Sequence, residues 1–400
     1  MHTRPVWAEI SRRNLIANYL ELCRIAAIFQ TEGGATEILA VVKADAYGHD
    51  LRLCAPALTS VGAKWIGVTS VEEGVAAREI CPVAGILIMS GIFEGEAAAV
   101  VEHRLTPLVW EGWHIDRLEA AAVGARLPPR SLPVHLELDT GMARQGVRLD
   151  NSLTELLDRL HESSPLRLDG IATHFSSPEV MDSSDTDDQL VRFETAVELI
   201  AQRGFRPRWI HAGNSATVLR VDHIEALHRI ATRLGAQVMI RPGLSLYGYP
   251  PRFVRGGEGA AAPEVEGLLP VLEWKTRVTS LRQIGEGEAA GYNSTFRARR
   301  PSRLALVPLG YADGLGRLLS NRGSMLVRGQ RAAIAGRVSM DQTILDVTEI
   351  PGVTIGDEVI VIGRQGAASI SADEIADLTG TIPYEILCAI ASRVPRIAID

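Results

Sequence analysis

Up to Pro250 the chain alternates two patterns: short apolar runs rich in Val, Ile and Leu, and longer charged stretches with helical spacing. Eight such runs stand out: Ile38–Val42, Trp65–Thr69, Ile86–Met89, Pro107–Trp110, Val134–Leu138, Leu168–Thr173, Arg208–His211 and Gln237–Ile240. The segment Asp187–Arg203 illustrates the intervening pattern, with Leu190, Val191, Phe193, Val197, Leu199 and Ile200 at helical spacing among charges. Strands alternating with helices imply a parallel sheet. Eight units match a (β/α)8 barrel, expected over residues 11–250. A doubly wound sheet is the rival, but no G-x-G-x-x-G follows the first run.

The pattern then changes. Residues 251–267 are rich in Gly, Ala, Pro and Glu and read as a linker or exposed loop. Beyond them, residues 268–400 read as a mainly β domain, with strand-like segments at Leu272–Ile284, Leu304–Pro308, Ser324–Val327, Ala332–Ala335, Thr343–Val347 and Glu358–Ile362. One short helix is expected at Ala372–Leu378 with Ser371 as its N-cap.

Composition narrows the functional classes. The chain has 400 residues, 46% of them hydrophobic, enough to bury a large core. A net charge of −7, from 41 Lys+Arg against 48 Asp+Glu, argues against a nucleic-acid or anionic-membrane surface. No apolar segment approaches the ~18 residues of a spanning helix, and the opening MHTRPVWAEI lacks the apolar core of a secretory signal. The 4 cysteines, Cys23, Cys54, Cys81 and Cys388, form no C-x-x-C pair and read as reduced thiols of a cytoplasmic protein. The 10 histidines include no H-E-x-x-H or H-x-H, so no metal is expected.

In a barrel the active site lies at the carboxyl ends of the strands. Five of the eight runs end in chemistry: Lys43 after the first, Asp139–Arg144 after the fifth, His174 after the sixth, His211 with Asn214–Ser215 after the seventh, and Arg241–Gly243 after the eighth. Lys43 alone could be a lysine reaching into solvent from a strand end. Inside a buried-type run, though, a desolvated lysine is a nucleophile. An aldehyde is its natural partner, which makes pyridoxal phosphate the expected cofactor. Asn214, Ser215, Gly243 and Leu244 suit a phosphate cradle on the loops after strands seven and eight; the bland alternatives are a helix cap and a turn. Arg241 can only donate hydrogen bonds. Facing a pyridine nitrogen, it would keep that nitrogen unprotonated. His174 reads as a ring-stacking residue ahead of an acid. The β domain adds the motifs G-Y-N-S-T-F, P-L-G-Y-A-D-G, G-R-V-S-M-D-Q and P-Y-E, which place Tyr292, Tyr311 and Tyr384, three of only 7 tyrosines, beside turn-forming residues.

With A-V-V-K-A-D-A-Y-G-H (Ala40–His49), R-P-G-L-S-L-Y-G (Arg241–Gly248) and G-R-V-S-M-D-Q (Gly336–Gln342) in this order, the chain resembles the alanine racemases almost end to end, from Pro5–Ile10 to Ser392–Arg396. The resemblance implies a pyridoxal 5'-phosphate enzyme with a barrel and a β domain, the strand near Trp7 within 1–10 joining the latter. Lys43 matches the cofactor-bonding lysine and first base, Tyr292 the second base. Tyr47, Asn214, Ser215, Gly243, Leu244 and Tyr384 match phosphate contacts. His174 matches the residue packed on the pyridine ring, Arg241 the arginine on its nitrogen and His211 that arginine's partner. Arg144 matches the arginine near the cofactor's phenolic oxygen and the substrate carboxylate. Met340 and Asp341 match the substrate end. In the family, Tyr292, Met340 and Asp341 would come from the partner subunit, so a homodimer with shared sites is implied. The function implied is conversion of L-alanine to D-alanine for peptidoglycan.

A tyrosine needs help to act as a base near neutral pH, and His174 and Arg144 are the expected neighbouring cations. One departure stands out: Glu137 occupies a position where many family members carry a carbamylated lysine; either Glu137 holds Arg144 as the carbamate would, or it points elsewhere and another group supports Arg144. The alternative functions are a racemase of a larger amino acid such as serine, with Ser176–Glu179 and Tyr311–Arg317 near the entrance; a decarboxylase of the same architecture, which Arg241 disfavours; and a non-enzymatic pyridoxal phosphate carrier, which the β domain and Tyr292 disfavour.

Overall fold

The computed structural model describes residues 3–27, 36–256, 258–259 and 267–400. Within the stretch expected as a linker, 257 and 260–266 lie outside the described residues, as do 1–2 of the opening segment. The chain divides into two compact units, Leu15–Ala46 with Cys54–Leu269, and Met1–Asn14 with Tyr47–Leu53 and Pro270–Asp400.

The first unit is an eight-stranded parallel closed barrel. Its strands, in order, are Glu37–Val41, Trp65–Val68, Gly85–Ile88, Thr106–Val109, Leu132–Asp139, Leu166–Ala172, Trp209–His211 and Gln237–Ile240. Each pairs in parallel with the next, and the eighth closes on the first through Met239↔Glu37 and Ile240↔Ile38. The eight apolar runs therefore all became barrel strands, within two residues at each end. The apolar stripe expected in Asp187–Arg203 is buried only in part: Leu199 is half-buried and Val191 is 63% exposed, off the face that meets the barrel. In Asp185–Gln202, Leu190, Phe193, Val197 and Ile200 are buried, while Asp185, Asp187 and Asp188 occupy the first turn, where the helix dipole favours anions.

Side chains in register fill the barrel in layers. Low in it, His135, Gly170 and Trp209 sit side by side on the fifth, sixth and seventh strands. Trp65 joins this layer with its ring 5.8 Å from His135 and 6.0 Å from Trp209. Two glycines make the rings fit: a Cβ at Gly170 would lie 2.5 Å from His135 Nδ1, and one at Gly85 would lie 2.6 Å from the Trp65 ring. One pleat higher, Glu137, Ala172 and His211 form the next row.

The second unit is built on one large sheet. Its strand order is Ser280–Ile284, Ser302–Val307, Thr343–Asp346, Gln330–Ile334, Ser324–Val327, Glu358–Gln365, Leu272–Arg277, Val6–Ser11 and Arg396–Ile399, with Ala368–Ile370 added on Glu358–Gln365. The single strand expected at Leu272–Ile284 is two. At Val278 and Thr279 the backbone changes partner, bonding to Asp357 and Leu306, so the run leaves Glu358–Gln365 and joins Ser302–Val307. The helix Ala372–Thr379 starts as expected, with Glu374 N–H donating to Ser371 Oγ at 3.1 Å. A further helix, Pro383–Cys388, carries Tyr384 and was not expected; Pro at its first position suits a helix start.

Candidate active site

Immediately after the first barrel strand the backbone takes an uncommon course. Ala44, Asp45, Ala46 and Tyr47 all have positive φ, from 52° to 55°, and Gly48 follows at 79°. This is a turn of left-handed helix, which costs L-residues about 1–2 kcal/mol each. Lys43 sits at its head, half-buried. The turn is tied down by Glu73, whose carboxylate accepts from Ala44 N at 2.7 Å and from Thr69 N at 2.8 Å, and by Ala46 N donating to Val42 O at 2.8 Å. Strain held by surrounding bonds at a strand end is a mark of a working position.

Arg241, 7% exposed, ends the eighth strand. Its Nη1 donates to His211 Nδ1 at 2.9 Å, and its Nη2 donates to Thr173 O at 2.8 Å and His174 Nδ1 at 3.2 Å. Burial lowers its pKa to about 10, so it stays charged at neutral pH. Both histidines are held neutral. His174 is pushed down to about 3, first by burial and then by Arg241, Arg144 and Lys43. His211 falls well below its ordinary value through burial, Arg241 and His135. The expectation that His174 supplies a cation is therefore corrected: burial beside three positive groups leaves it neutral.

Glu137 is 3% exposed and accepts from Gln145 Nε2 at 2.6 Å; the same nitrogen donates to Met89 O at 2.9 Å. Burial raises the Glu137 pKa, with Arg241, the Gln145 bond and then Arg144 pulling it back. The Glu137–Arg144 pair is not formed. Among the described residues no hydrogen bond or ion pair joins them, although both line one small cleft with Asp139, Gln145 and His174. The glutamate chain is short, and Gln145 meets it first. Arg144 is exposed on a loop shaped by Asp139, which accepts from Gly141 N and Ala143 N at 3.0 Å each.

The loops after the seventh and eighth strands interlock. Asn214 Oδ1 caps the short helix Ser215–Val218 by accepting from Ala216 N at 2.9 Å. Ser215 Oγ accepts from Gly243 N at 3.1 Å and from Ser245 N at 3.3 Å. Gly213, at φ 85°, passes so close to Thr217 that a Cβ would lie 2.4 Å away. Leu244, 2% exposed, begins the turn Leu244–Tyr247. The helix-cap reading of Asn214 is thus true of its side chain, whatever else the loop does.

The remaining expected residues lie in the second unit. Tyr47 and Tyr384 face each other with rings 5.9 Å apart, and burial pushes the Tyr47 hydroxyl pKa up. Tyr292 is 68% exposed, on a tight turn where Gly291, Asn293 and Ser294 all have positive φ. Met340 is 54% exposed. Asp341 pairs with Arg393 at 2.7 Å, and Arg393 also holds the fully buried Asp313 at 2.7 Å, with Arg4 on Asp313's other side. Sequence reasoning missed His135, Thr173 and Gln145. His135 had a signal: on the strand Leu132–Asp139 it lies two residues from Glu137 and so on the same face.

A closed (β/α)8 barrel thus carries at one rim a strand-end lysine, a buried arginine bonded to two histidines and two interlocked loops. The family description "Alanine racemase, N-terminal domain" matches residues 10–251, and "Alanine racemase, C-terminal domain" matches 271–398. An alanine racemase of Sorangium cellulosum is 38% identical over 401 residues, covering 98% of each chain. The structure of alanine racemase from Streptomyces coelicolor A3(2) superposes with a TM-score of 0.86 at 31% identity, over 99% of this chain and 98% of that one. That of the Bartonella henselae enzyme, with covalently bound pyridoxal phosphate, gives 0.81 at 28% identity, over 99% of both. The chain belongs to the alanine racemase family. It is an amino-acid racemase, an isomerase.

Proposed function

We propose that this enzyme interconverts L- and D-alanine with pyridoxal 5'-phosphate as cofactor. The observation that carries the reading is Arg241: a buried guanidinium with no carboxylate bonded to it among the described residues, held between His211 and His174 at the end of the strand beside that of Lys43. Such a donor meets a pyridine nitrogen without protonating it, which restrains side reactions and favours simple proton exchange. The loop pair suits the phosphate. Ser215 draws the Gly243 and Ser245 backbones together, Gly213 admits the close approach, and the buried Ser245 Oγ has no hydrogen-bond partner among the described residues. Asn214, Leu244, Tyr47 and Tyr384 join this set by their motifs.

Pyridoxal phosphate, when bound, acidifies the substrate's Cα–H by withdrawing electrons from it. The residues then have to move a proton. Racemisation removes it from one face of Cα and returns it on the other, so one base is needed on each side. Lys43 serves one face, the D-isomer's, and Tyr292 the other, with Arg144, Met340 and Asp341 at the substrate carboxylate end. The exposure of Tyr292 and Met340 supports their use by a second copy, in a homodimer whose sites are shared. D-alanine for peptidoglycan, made in the cytoplasm, is the implied product.

The test is Lys43→Ala. Visible cofactor absorbance and D-alanine formation should vanish together. A variant that keeps normal turnover without added amine removes Lys43, and with it the cofactor assignment.

A further inference from the structure

We infer that His135, a fully buried residue low in the barrel, is a positioning residue for the racemase: it holds His211 in the one tautomer that can accept from Arg241. The argument follows from donors and acceptors. A guanidinium has no acceptor, so the 2.9 Å contact from Arg241 Nη1 requires a bare His211 Nδ1. The neutral His211 ring therefore carries its proton on Nε2. That nitrogen lies 2.8 Å from His135 Nδ1, so His211 donates and His135 accepts. The proton of His135 is then on Nε2, which has no hydrogen-bond partner among the described residues. No bond at its far side opposes this tautomer, and the order runs one way, from Arg241 to His211 to His135.

The barrel makes room for this ring at a cost. Gly170 stands where any Cβ would strike His135 Nδ1, and Trp65 covers the imidazole from another side. An apolar ring would fill the same space without leaving an N–H unsatisfied. What it would lack is an acceptor for His211 Nε2–H. His211 would then be buried with either an orphaned donor or the wrong tautomer toward Arg241. Burial keeps His135 neutral, down to about 4, so the acceptor persists at working pH. The consequence for catalysis rests on the proposal that Arg241 meets the cofactor's ring nitrogen; the tautomer assignment does not.

The test uses the full-length chain with ¹⁵N-labelled histidine, with and without pyridoxal phosphate, as wild type, His135→Phe and His135→Asn. Phenylalanine keeps an aromatic ring against Trp65 but has no acceptor; an asparagine oxygen can stand close to the position of Nδ1. In wild type, His211 should show a bare Nδ1 and a protonated Nε2. In His135→Phe that signal should become a mixture of tautomers, the bound-cofactor absorbance should shift, and kcat should fall about tenfold or more, the scale of one lost hydrogen bond to a charged network. His135→Asn should restore the single tautomer and most of kcat. A His211 that keeps its tautomer in His135→Phe, or a His135→Asn as impaired as His135→Phe, overturns the inference and makes His135 a packing residue. If His135→Phe does not fold, the asparagine variant decides alone, since retention of tautomer and kcat supports the role and their loss refutes it. If wild type takes up no cofactor, the tautomer measurement still stands and the proposed function fails separately.

Discussion

At Glu137 the structure decides between two readings of one buried side chain, and it favours the one in which the glutamate points away from Arg144. Its carboxylate is capped by Gln145 and feels Arg241 before Arg144. Glu137→Gln should therefore leave the KM for alanine within about twofold, whereas loss of a direct charged partner costs roughly tenfold. A tenfold rise in KM would restore the pairing with Arg144. The same side chain should be visible in the pH dependence of stability. Burial raises its folded pKa above the ordinary 4.5, so the contribution it makes is full below that value and is lost as pH rises through the folded pKa. The stability of wild type minus that of Glu137→Gln should fall as pH increases from 4.5 and then level off. Urea midpoints across that range check it, and a flat difference contradicts it.

The left-handed turn after the first strand is the element on which Lys43 depends. Four consecutive L-residues at φ 52–55° persist only because bonds and packing hold them. Gly48 ends the turn at φ 79°, where a Cβ would stand 2.4 Å from Leu387 O. Gly48→Ala should destabilise by about 1–3 kcal/mol, and by more than Gly235→Ala, whose φ of 64° is similarly left-handed but whose surroundings are open. Chemical denaturation of the two variants separates backbone strain from the collision. Equal losses would mean that Leu387 gives way. The motif A-V-V-K-A-D-A-Y-G-H singled out Lys43, but nothing in its composition announced this backbone, because Ala and Asp favour right-handed φ wherever they are free to choose.

On the scale of the whole molecule, the exposed Tyr292 and Met340 are the residues to follow. If a second copy uses them, Lys43→Ala chains mixed with Tyr292→Phe chains should regain activity. The ceiling is about a quarter of the wild-type rate, since about half the dimers are mixed and each holds one intact site. The measurement is turnover after unfolding and refolding the mixture together, against each variant treated alone. No recovery would place both bases in one chain. Tyr292→Phe alone should slow proton exchange mainly on one face of Cα, and equal modest losses on both faces would reduce Tyr292 to packing.

The order of strands, the barrel they close and the strand-end positions of Lys43, His174, His211 and Arg241 were legible in the chain itself. Short apolar runs and helical spacings are local, and a closed barrel sends every strand end to one rim. The split of Leu272–Ile284 was not legible, because a strand that changes partners keeps its apolar pattern on both sides of the change. Nor were the charge state of His174, the Gln145 cap on Glu137 or the His135–His211–Arg241 chain. Each depends on which side chains meet across strands far apart in sequence, and on how completely the barrel excludes water from them. Residue types and their spacing named the chemistry; burial and register, which exist only once the barrel has closed, decided which groups carry charge and which hold one another in place.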